Sequence, residues 1–533
     1  MDVVAAARAW RDQDPDTETR AELDRLIAAN DLPELHDRFG TRLEFGTAGL
    51  RGRIEAGSNR MNRVLVSQAA AGFAAYLLAR SDSPSVVIGY DGRKNSKIFA
   101  TDTAELMAGA GVRAILLPRL LPTPVLAFAV RHLDVSAGVM VTASHNPPQD
   151  NGYKVYLGGG DQGSQIVPPA DGEIASEIER VAATLSVLDL PRSDAYEIAG
   201  EEVLDEYVRR TAALVAPPKA RVKFVYTAMH GVGWETAKRV FAEAGLGDPI
   251  VVEKQIEPDA AFPTVAFPNP EEPGAMDLAF ETARGSDAEL VIANDPDADR
   301  LAVGIPTPGG WVRLSGNEVG SLLGWRAAER GATVLAASIV SSPALAAVAK
   351  HYGIRYVDTL TGFKWVSRVP GLSFGYEEAL GYLVDPGKVR DKDGISAAAD
   401  FVAMVAELKA AGKTIQDHRD AFAATFGPFA SAQLSLRVTD LDDIGRMMTR
   451  LRGRLPSEIA GIAVDGVDDF SHGDVTAGVE AFPPSDILRF RLADGSRVIV
   501  RPSGTEPKVK VYLDGSSDDQ VASLERAMRE LLA

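Results

Sequence analysis

One serine of this chain has a setting that suits covalent chemistry. Ser144 follows the apolar run 138–141 and lies in a polar turn with His145 and two prolines. A serine at the end of a strand presents its hydroxyl on a stiff support, which suits it to carry a covalently bound group. A second strand, predicted over 152–157, brings Lys154 back toward this turn. An ordinary Ser/Asn/Pro turn is the alternative interpretation, because these residues are common in loops.

Three aspartates at alternate positions form a second group of candidate residues. They are Asp295, Asp297 and Asp299. Apolar runs at 289–293 and 301–305 flank them, so a tight turn between two strands is predicted. Three carboxylates this close are costly unless a cation neutralises them. Because the ligands are oxygen atoms without His or Cys, the loop favours Mg²⁺ over zinc.

An EF-hand calcium loop and an acidic turn without a metal are the alternatives to a magnesium site in this loop. An EF-hand counted from Asp295 needs glycine at its sixth position and glutamate at its twelfth. Those positions are Arg300 and Pro306, so the EF-hand pattern fails. An acidic β-turn that binds no metal is the remaining alternative.

The turn that follows Arg501 predicts a site for an anion. Ser503, Gly504 and Thr505 offer backbone N–H groups and two hydroxyls, and the neighbouring guanidinium can bind phosphate oxygens in bidentate fashion. It is not a Walker loop, because GxxxxGK[ST] does not occur in the chain. The glycine-rich stretch 158–163 lacks dinucleotide-binding spacing and is predicted to be a plain loop.

Further charged residues cluster in the segment 374–397. Glu377 and Glu378 lie among glycines in a stretch too short for a helix, where carboxylates can bind sugar hydroxyls. Arg390 and Lys392 follow them. Charges of this kind are also common on solvated surfaces, which is the alternative for this segment.

Composition limits the classes of protein that fit. The chain has 533 residues with 46% hydrophobic and 24% charged content, which indicates a globular protein of several domains. Without cysteine, disulfides, thiolate catalysis and Cys-ligated zinc are excluded. A net charge of −18 argues against nucleic acid and anionic membranes as partners. The first residues lack a signal-peptide pattern, and the apolar run 334–349 is interrupted by serines and a proline. A soluble, cytoplasmic protein is therefore expected.

The elements that must position these residues alternate between strand and helix. Apolar periodicity predicts a helical N-terminus, helices over 64–78 and 96–110, and strands over 85–90 and 114–117. Similar alternation recurs over 221–290 and 332–408, whereas the last hundred residues predict strands over 432–438, 487–491, 497–501 and 508–514 and a helix from Asp518. This pattern predicts a helical extension over 1–40, three α/β domains over 41–205, 206–312 and 313–430, and an α+β domain over 431–533.

The motifs also occur in the order of a known family. FGTAGLRG begins at Phe45, and TASHNP, DPDADR, TGFKW, EEALG, VRDKDG and RPSGTEP follow it along nearly the whole chain. In these motifs the chain resembles the α-D-phosphohexomutase superfamily. Within that superfamily it is most similar to the phosphoglucomutase/phosphomannomutase family, in the branch that also contains phosphopentomutases. The resemblance implies three α/β domains with mixed sheets and a C-terminal α+β domain around a central cleft.

The resemblance also implies roles for individual residues. Ser144 would be the phosphoserine, and Arg51, His145, Lys154 and Lys392 would lie near the transferring phosphate. Asp295, Asp297 and Asp299, with a phosphate oxygen on Ser144, would hold one Mg²⁺ per chain. Substrate-binding positions would be Arg300, Gly362, Lys364, Glu377, Ala379, Arg390, Arg501, Ser503, Gly504 and Thr505. The family usually has serine where this chain has Ala379, which removes one hydroxyl contact to the sugar.

The activity implied is a reversible phosphosugar mutase. Phosphoserine gives its phosphoryl group to glucose 1-phosphate or glucose 6-phosphate, and a 1,6-bisphosphate turns end for end before it returns a phosphate to Ser144. Lys154 or Lys392 is expected to act as general base with a pKa lowered by neighbouring positive charge. Mannose or pentose phosphates are alternative substrates, and a sugar-phosphate phosphatase or a non-catalytic sensor is a rival class. A monomer and a dimer are both compatible with the sequence.

Overall fold

A computed structural model describes residues 2–46, 49–438, 441–472, 483–502 and 508–532. The chain divides into two compact units. Unit 1 comprises Met1–Leu314 and Gly381–Ala411, and unit 2 comprises Ser315–Leu380 and Gly412–Ala533. The segment Gly381–Ala411 therefore returns to a unit that the chain has already left. None of the described helices is both long and apolar enough to cross a membrane.

The helices lie at bounds set by their capping residues and apolar faces. They are α1 Val3–Gln13, α2 Thr17–Ala29, α3 Leu32–Phe39, α4 Arg63–Leu78, α5 Ser96–Gly109, α6 Thr123–His132, α7 Ala170–Thr184, α8 Glu202–Ala212, α9 Gly233–Glu243, α10 Asp277–Gly285, α11 Gly316–Glu329, α12 Ala344–Tyr352, α13 Phe363–Val366, α14 Gly394–Ala410, α15 Ile415–Phe426, α16 Leu441–Gly453 and α17 Asp518–Leu532. The N-cap of α14, for example, is Asp393, whose side chain accepts the N–H of Ser396.

The strands are mostly short. They are β1 Leu50–Arg53, β2 Ser85–Tyr90, β3 Arg113–Leu116, β4 Ala137–Val141, β5 Asp150–Leu157, β6 Ser164–Gln165, β7 Glu197–Ile198, β8 Phe224–Thr227, β9 Ile250–Val251, β10 Leu290–Asn294, β11 Leu301–Thr307, β12 Gly310–Arg313, β13 Val334–Ser338, β14 Arg355–Thr359, β15 Phe374–Glu377, β16 Gly381–Leu383, β17 Ala430–Arg437, β18 Glu458–Ile459, β19 Ile462–Asp469, β20 Leu488–Leu492, β21 Arg497–Pro502 and β22 Lys508–Gly515.

Unit 1 contains two mixed sheets. The first has the order β1-β5-β4-β2-β3-β7, with β6 on β5, and the second has the order β12-β11-β10-β8-β9. Every residue of β4 is buried, as expected for an apolar central strand with helices on both faces. Strands β4 and β5 pair antiparallel, as do β10 and β11. The Ser144 turn therefore joins two neighbouring strands of the first sheet, and the aspartate loop joins two strands of the second.

Unit 2 also contains two groups of strands. Parallel strands β14, β13 and β15 lie side by side under α11 and α12. The second group is an antiparallel sheet with the order β17-β22-β21-β20-β19-β18. Its core side packs against α16 and α17, where Met448, Leu524 and Met528 are buried. The predicted fold class, α/β domains with mixed sheets followed by a C-terminal α+β domain, is confirmed.

Most predicted elements agree with the structure to within two residues. The predicted strand 85–90 is β2, the predicted helices 64–78 and 96–110 are α4 and α5, and the C-terminal helix begins at Asp518 as predicted. Residues 158–163 form a loop with one 3₁₀ turn. Strand β19 was not predicted, because its sequence IAVDGVDD is largely half-exposed and weakly apolar.

Candidate active site

The Ser144 turn holds its serine in a constrained backbone conformation. Ser144 has φ of +52°, in the left-handed region that residues other than glycine adopt at some cost, and it is 2% exposed. Its backbone N–H donates to Thr142 Oγ1 at 2.8 Å. Its hydroxyl donates to Asp295 Oδ2 at 2.9 Å, so the two sequence motifs meet at this hydroxyl.

Two further candidate residues flank the serine. His145 Nδ1 lies 3.2 Å from Ser144 Oγ. Burial, followed by the positive charges of Arg300 and Arg51, lowers the pKa of His145 well below its ordinary value, so the ring is neutral near pH 7. Arg51 donates to Asn146 Oδ1 at 3.2 Å. Arg51 lies on β1, which pairs with β5. The glycine at position 49 allows the chain to approach β5 this closely, because a Cβ there would lie 1.8 Å from Tyr153 O.

The aspartate loop provides a buried set of carboxylates. Asp295, Asp297 and Asp299 are fully buried, and one ligand atom from each lies within 4.8 Å of the others. Among the described residues, Asp297 Oδ1 and Asp299 Oδ1 have no hydrogen-bond partner. Burial, with the charges of Asp297 and Asp299, raises the pKa of Asp295 well above its ordinary value. Unpartnered buried carboxylate oxygens in this arrangement fit a divalent cation that prefers oxygen ligands.

Lys154 lies in the same cluster. Its Nζ donates to Asp297 Oδ2 at 2.7 Å and to Asp299 Oδ2 at 2.9 Å. Burial favours the neutral amine, but the two carboxylates outweigh it and raise the pKa of Lys154. The prediction that neighbouring positive charge lowers the pKa of this lysine is therefore wrong, because its nearest charges are negative. Lys392 Nζ lies 3.3 Å from Asp299 Oδ2 and 3.3 Å from Asp391 Oδ1.

The two arginines of unit 1 that are predicted to bind substrate lie at different places. Arg300 Nε is 3.9 Å from Asp299 Oδ1, at the end of the aspartate loop. Arg390 donates to Gln162 Oε1 at 2.9 Å, in the glycine-rich loop. The structure thus brings together the predicted catalytic residues, the three aspartates and Arg300. The substrate role of Arg390 stays a prediction.

Unit 2 contains the remaining substrate candidates. Gly362 N–H donates to Glu377 Oε1 at 2.5 Å, so these two are adjacent. Lys364 Nζ lies 5.9 Å from the ring centroid of Trp365, and Ala379 follows β15 in a turn. Arg501 is on β21, where its charge acts on Tyr512. Ser503, Gly504 and Thr505 lie outside the described residues, and the substrate roles of the whole set stay predictions.

The structure adds two residues that sequence reasoning missed. Thr123, at the start of α6, donates its hydroxyl to Asp297 Oδ2 at 2.6 Å. Asp391, fully buried, accepts hydrogen bonds from Tyr156 and Gln165 at 2.8 Å each and contacts Lys392. Thr123 stands 174 positions from Asp297 in the chain, so no local pattern could have linked them. Asp391 lies within the VRDKDG motif, and its adjacency to Lys392 was the available signal.

Comparison with protein families gives four matches, one to each domain of a single family, which together cover most of the chain. The models are described as phosphoglucomutase/phosphomannomutase alpha/beta/alpha domain I over residues 42–184, domain II over 205–309, domain III over 315–426 and the C-terminal domain over 436–531. The predicted domain boundaries themselves stay predictions.

Individual proteins are similar over most of their length. A Haemophilus influenzae protein named "Probable phosphomannomutase" is 57% identical, covering 86% of this chain and 94% of that protein. The Homo sapiens phosphopentomutase is 34% identical (98% and 94% covered), and the Staphylococcus epidermidis phosphoglucomutase is 33% identical (91% and 93% covered).

A solved structure shows the same fold at low sequence identity. The phosphoglucomutase/phosphomannomutase family protein from Burkholderia thailandensis superposes with a TM-score of 0.72 at 22% identity, covering 92% of this chain and 97% of that chain. The family models span most of the residues, and the relatives exceed 30% identity over nearly the full length. This chain belongs to the phosphoglucomutase/phosphomannomutase family of phosphosugar mutases.

Proposed function

We propose that this protein interconverts glucose 1-phosphate and glucose 6-phosphate through a phosphoserine at Ser144 and a glucose 1,6-bisphosphate intermediate. The observation that carries the proposal is the 2.9 Å hydrogen bond from Ser144 Oγ to Asp295 Oδ2. This hydrogen bond joins the buried hydroxyl of Ser144, in the TASHNP motif, to the aspartate loop, where Lys154 lies 2.7 Å from Asp297. A nucleophile, carboxylates and cations in one place are what reversible phosphoryl transfer requires.

The reaction consists of two transfers that mirror each other. In the first, the free hydroxyl of the sugar phosphate bonds to phosphorus, its proton passes to a base, and the bond from phosphorus to Ser144 Oγ breaks. Ser144 Oγ recovers a proton and the bisphosphate turns end for end. In the second transfer, Ser144 Oγ gives up that proton and bonds to the other phosphorus, the bond from that phosphorus to the sugar oxygen breaks, and the sugar oxygen takes up a proton to become a hydroxyl. Lys154 and Lys392 are the candidate bases, and neutral His145 lies close enough to Ser144 Oγ to carry the serine proton.

The buried carboxylates would hold one divalent cation, for which we propose Mg²⁺. Its ligands would be Asp295, Asp297, Asp299 and a phosphate oxygen on Ser144. When bound, it supplies positive charge against the nearly two negative charges of a phosphoserine. Lys154 and Lys392 add their charges at the same loop, and Arg300 lies at its edge.

The sugar would be recognised in unit 2. Glu377 is the candidate ligand for sugar hydroxyls, and Gly362 orients it through the 2.5 Å hydrogen bond. Arg501, with Ser503, Gly504 and Thr505, would bind the phosphate that does not react. Glucose is the proposed sugar. Mannose and pentose phosphates are the alternatives, since relatives carry the names of all three activities.

Initial rates on a panel of sugar 1-phosphates test the proposal. Glucose, mannose, glucosamine and ribose 1-phosphates are supplied with Mg²⁺ and a catalytic amount of the matching bisphosphate, and both the isomerised product and inorganic phosphate are measured. We expect the highest kcat/KM on glucose 1-phosphate and almost no inorganic phosphate. Phosphate release without isomerisation would identify a phosphatase instead.

A serine variant completes this test. Ser144→Ala is expected to reduce turnover by about four orders of magnitude or more, because the group that accepts and returns the phosphoryl is removed. Intact-mass analysis of the wild type, primed with bisphosphate, is expected to show one added phosphoryl group that is absent from the variant. Near-normal turnover by Ser144→Ala would refute the phosphoserine scheme.

A further inference from the structure

One buried guanidinium holds together the backbone of the Ser144 turn. Arg93 lies in the loop between β2 and α5 and is 4% exposed. It donates to the carbonyl oxygens of four residues of the turn between β4 and β5: Ser144 at 2.5 Å, Asn146 at 2.6 Å, Pro147 at 2.8 Å and Asp150 at 3.2 Å.

Two backbone hydrogen bonds lie within the turn, from Asn146 N–H to Ala143 O and from Asp150 N–H to Pro147 O, each at 3.0 Å, and Arg93 adds donors from outside it. The turn contains Pro147 and Pro148, which have no N–H with which to form a local ladder. Its first residue, Ser144, has the φ of +52° that persists only when the surroundings fix it. The hydrogen bond to Ser144 O is buried and the other three are partly buried, so the guanidinium supplies donors where water has little access and fixes the directions of these carbonyls. An arginine suits this task because its donors are arranged in a rigid planar fork.

Arg93 is itself held in place by Asp91. Its backbone N–H donates to Asp91 Oδ1 at 3.0 Å, and its Nε lies 3.5 Å from Asp91 Oδ2. Asp91 also accepts the hydroxyls of Ser96 at 2.6 Å and Thr142 at 2.7 Å. Thr142 Oγ1 in turn accepts the N–H of Ser144 at 2.8 Å. A closed circuit of hydrogen bonds therefore runs from Asp91 to both the carbonyl and the N–H of Ser144.

We propose that Arg93 is a positioning residue for the nucleophile. Through the four carbonyls and the Asp91–Thr142 link, it keeps the Ser144 hydroxyl directed at the aspartate loop in both phosphoryl transfers. This inference rests on the proposed function, because it assigns Arg93 to the same Ser144 chemistry. Since Nη1 and Nη2 of Arg93 bind backbone carbonyls and its other N–H groups face Asp91, its loss is expected to change the rate of transfer while sugar-phosphate binding is retained.

Arg93→Lys tests the positioning role, because lysine keeps the positive charge but lacks the planar set of donors of a guanidinium. A single ammonium cannot reach all four carbonyls, so kcat is expected to fall by about 100-fold with KM within about threefold. The rate of Ser144 phosphorylation by glucose 1,6-bisphosphate, followed by intact mass, is expected to fall in parallel. Arg113→Lys is the matched control: it is an exposed arginine of the same unit paired with Glu197, and its kcat is expected to stay within about twofold of wild type.

The outcomes separate this inference from the proposed function. Wild-type protein without isomerase activity would refute the proposed function. An active wild type with an equally active Arg93→Lys variant, or a variant that changes KM alone, would overturn the positioning role only.

A second variant applies if Arg93→Lys does not fold, as judged by circular dichroism and thermal unfolding. Thr142→Val then tests the second hydrogen-bonded link between Asp91 and Ser144. It removes the hydroxyl that donates to Asp91 and accepts the N–H of Ser144. A kcat reduced by about tenfold with unchanged KM supports the inference. An unchanged kcat overturns it.

Discussion

At the scale of single side chains, Asp297 is a candidate magnesium ligand of the aspartate loop. It accepts hydrogen bonds from Thr123 and Lys154, and its Oδ1 is buried without a partner among the described residues. Asp297→Asn replaces one carboxylate by a neutral amide and introduces N–H donors beside an ammonium. We therefore expect the Mg²⁺ concentration for half-maximal activity to rise at least about tenfold and kcat to fall.

A magnesium titration of activity, together with calorimetric measurement of Mg²⁺ binding, checks this expectation. Asp287→Asn is the control, since Asp287 is exposed on the same unit and its positive φ of 49° suits asparagine. An unchanged magnesium requirement in Asp297→Asn would mean that the loop does not hold the metal.

The same residues show what a sequence can and cannot predict about a site. Ser144, His145 and the three aspartates were predicted because their motifs are local and their chemistry is evident within a few positions. Thr123 and Arg93 were not assigned roles, because each acts on residues that are more than fifty positions away. The direction of the Lys154 pKa was wrong for a related reason. The sign depends on which charges the fold places beside the amine, and those charges come from another sheet.

Among the helices, the contact between α11 and α15 predicts a pH effect on unit 2. His418 on α15 stacks on Trp325 of α11, with ring centroids 4.4 Å apart and planes at 4°. Burial, followed by the charges of Arg326 and Lys413, lowers the pKa of His418 to about 4. Between pH 4 and the unfolded value near 6.5, the unfolded chain binds a proton that the folded chain does not. The stability of unit 2 is therefore expected to fall as the pH falls through this window.

Urea unfolding at pH 7 and pH 5 measures this effect, with hydrogen exchange of α15 peptides to assign it to unit 2. The loss between the two pH values is expected to be at most about 2 kcal/mol from this group. His418→Phe keeps the stack and is expected to remove that part of the pH dependence, whereas His36→Gln, at an exposed position of α3, is expected to leave it unchanged. Equal pH dependence in wild type and His418→Phe would contradict the assignment.

The elements themselves were largely predictable, for reasons visible in their sequences. The strand β2 and the helices α4 and α5 have continuous apolar content that marks them as buried, and they were found almost at the predicted bounds. The half-exposed strand β19 was not predicted from the sequence, because its stability comes from pairing with β20 rather than from apolar residues of its own. The return of α14 to unit 1 was also not foreseen, since the sequence shows a helix but not its partners.

For the molecule as a whole, the discontinuity of unit 1 gives a further prediction. Residues Gly394 to Ala406 of α14 are all buried, and the helix packs against α8, α9, β10 and β11. A fragment of residues 1–314 lacks this helix, so it is expected to bind a hydrophobic dye and to be digested quickly by protease. Co-expression of residues 381–411 is expected to restore resistance. A fragment 1–314 as resistant as the intact protein would contradict this dependence.

The same return of the chain sets an order of events during synthesis. A ribosome adds about 5–20 residues per second, so on the order of ten seconds separates residue 314 from residue 411. In that interval the nascent chain already carries Ser144 and the three aspartates but not Lys392, and the surface that α14 will cover is open to chaperones. Lys392, the last of the proposed catalytic groups, is therefore synthesised immediately before α14. A polypeptide released before residue 392 lacks both, so it is expected to be inactive and to expose the surface that α14 covers.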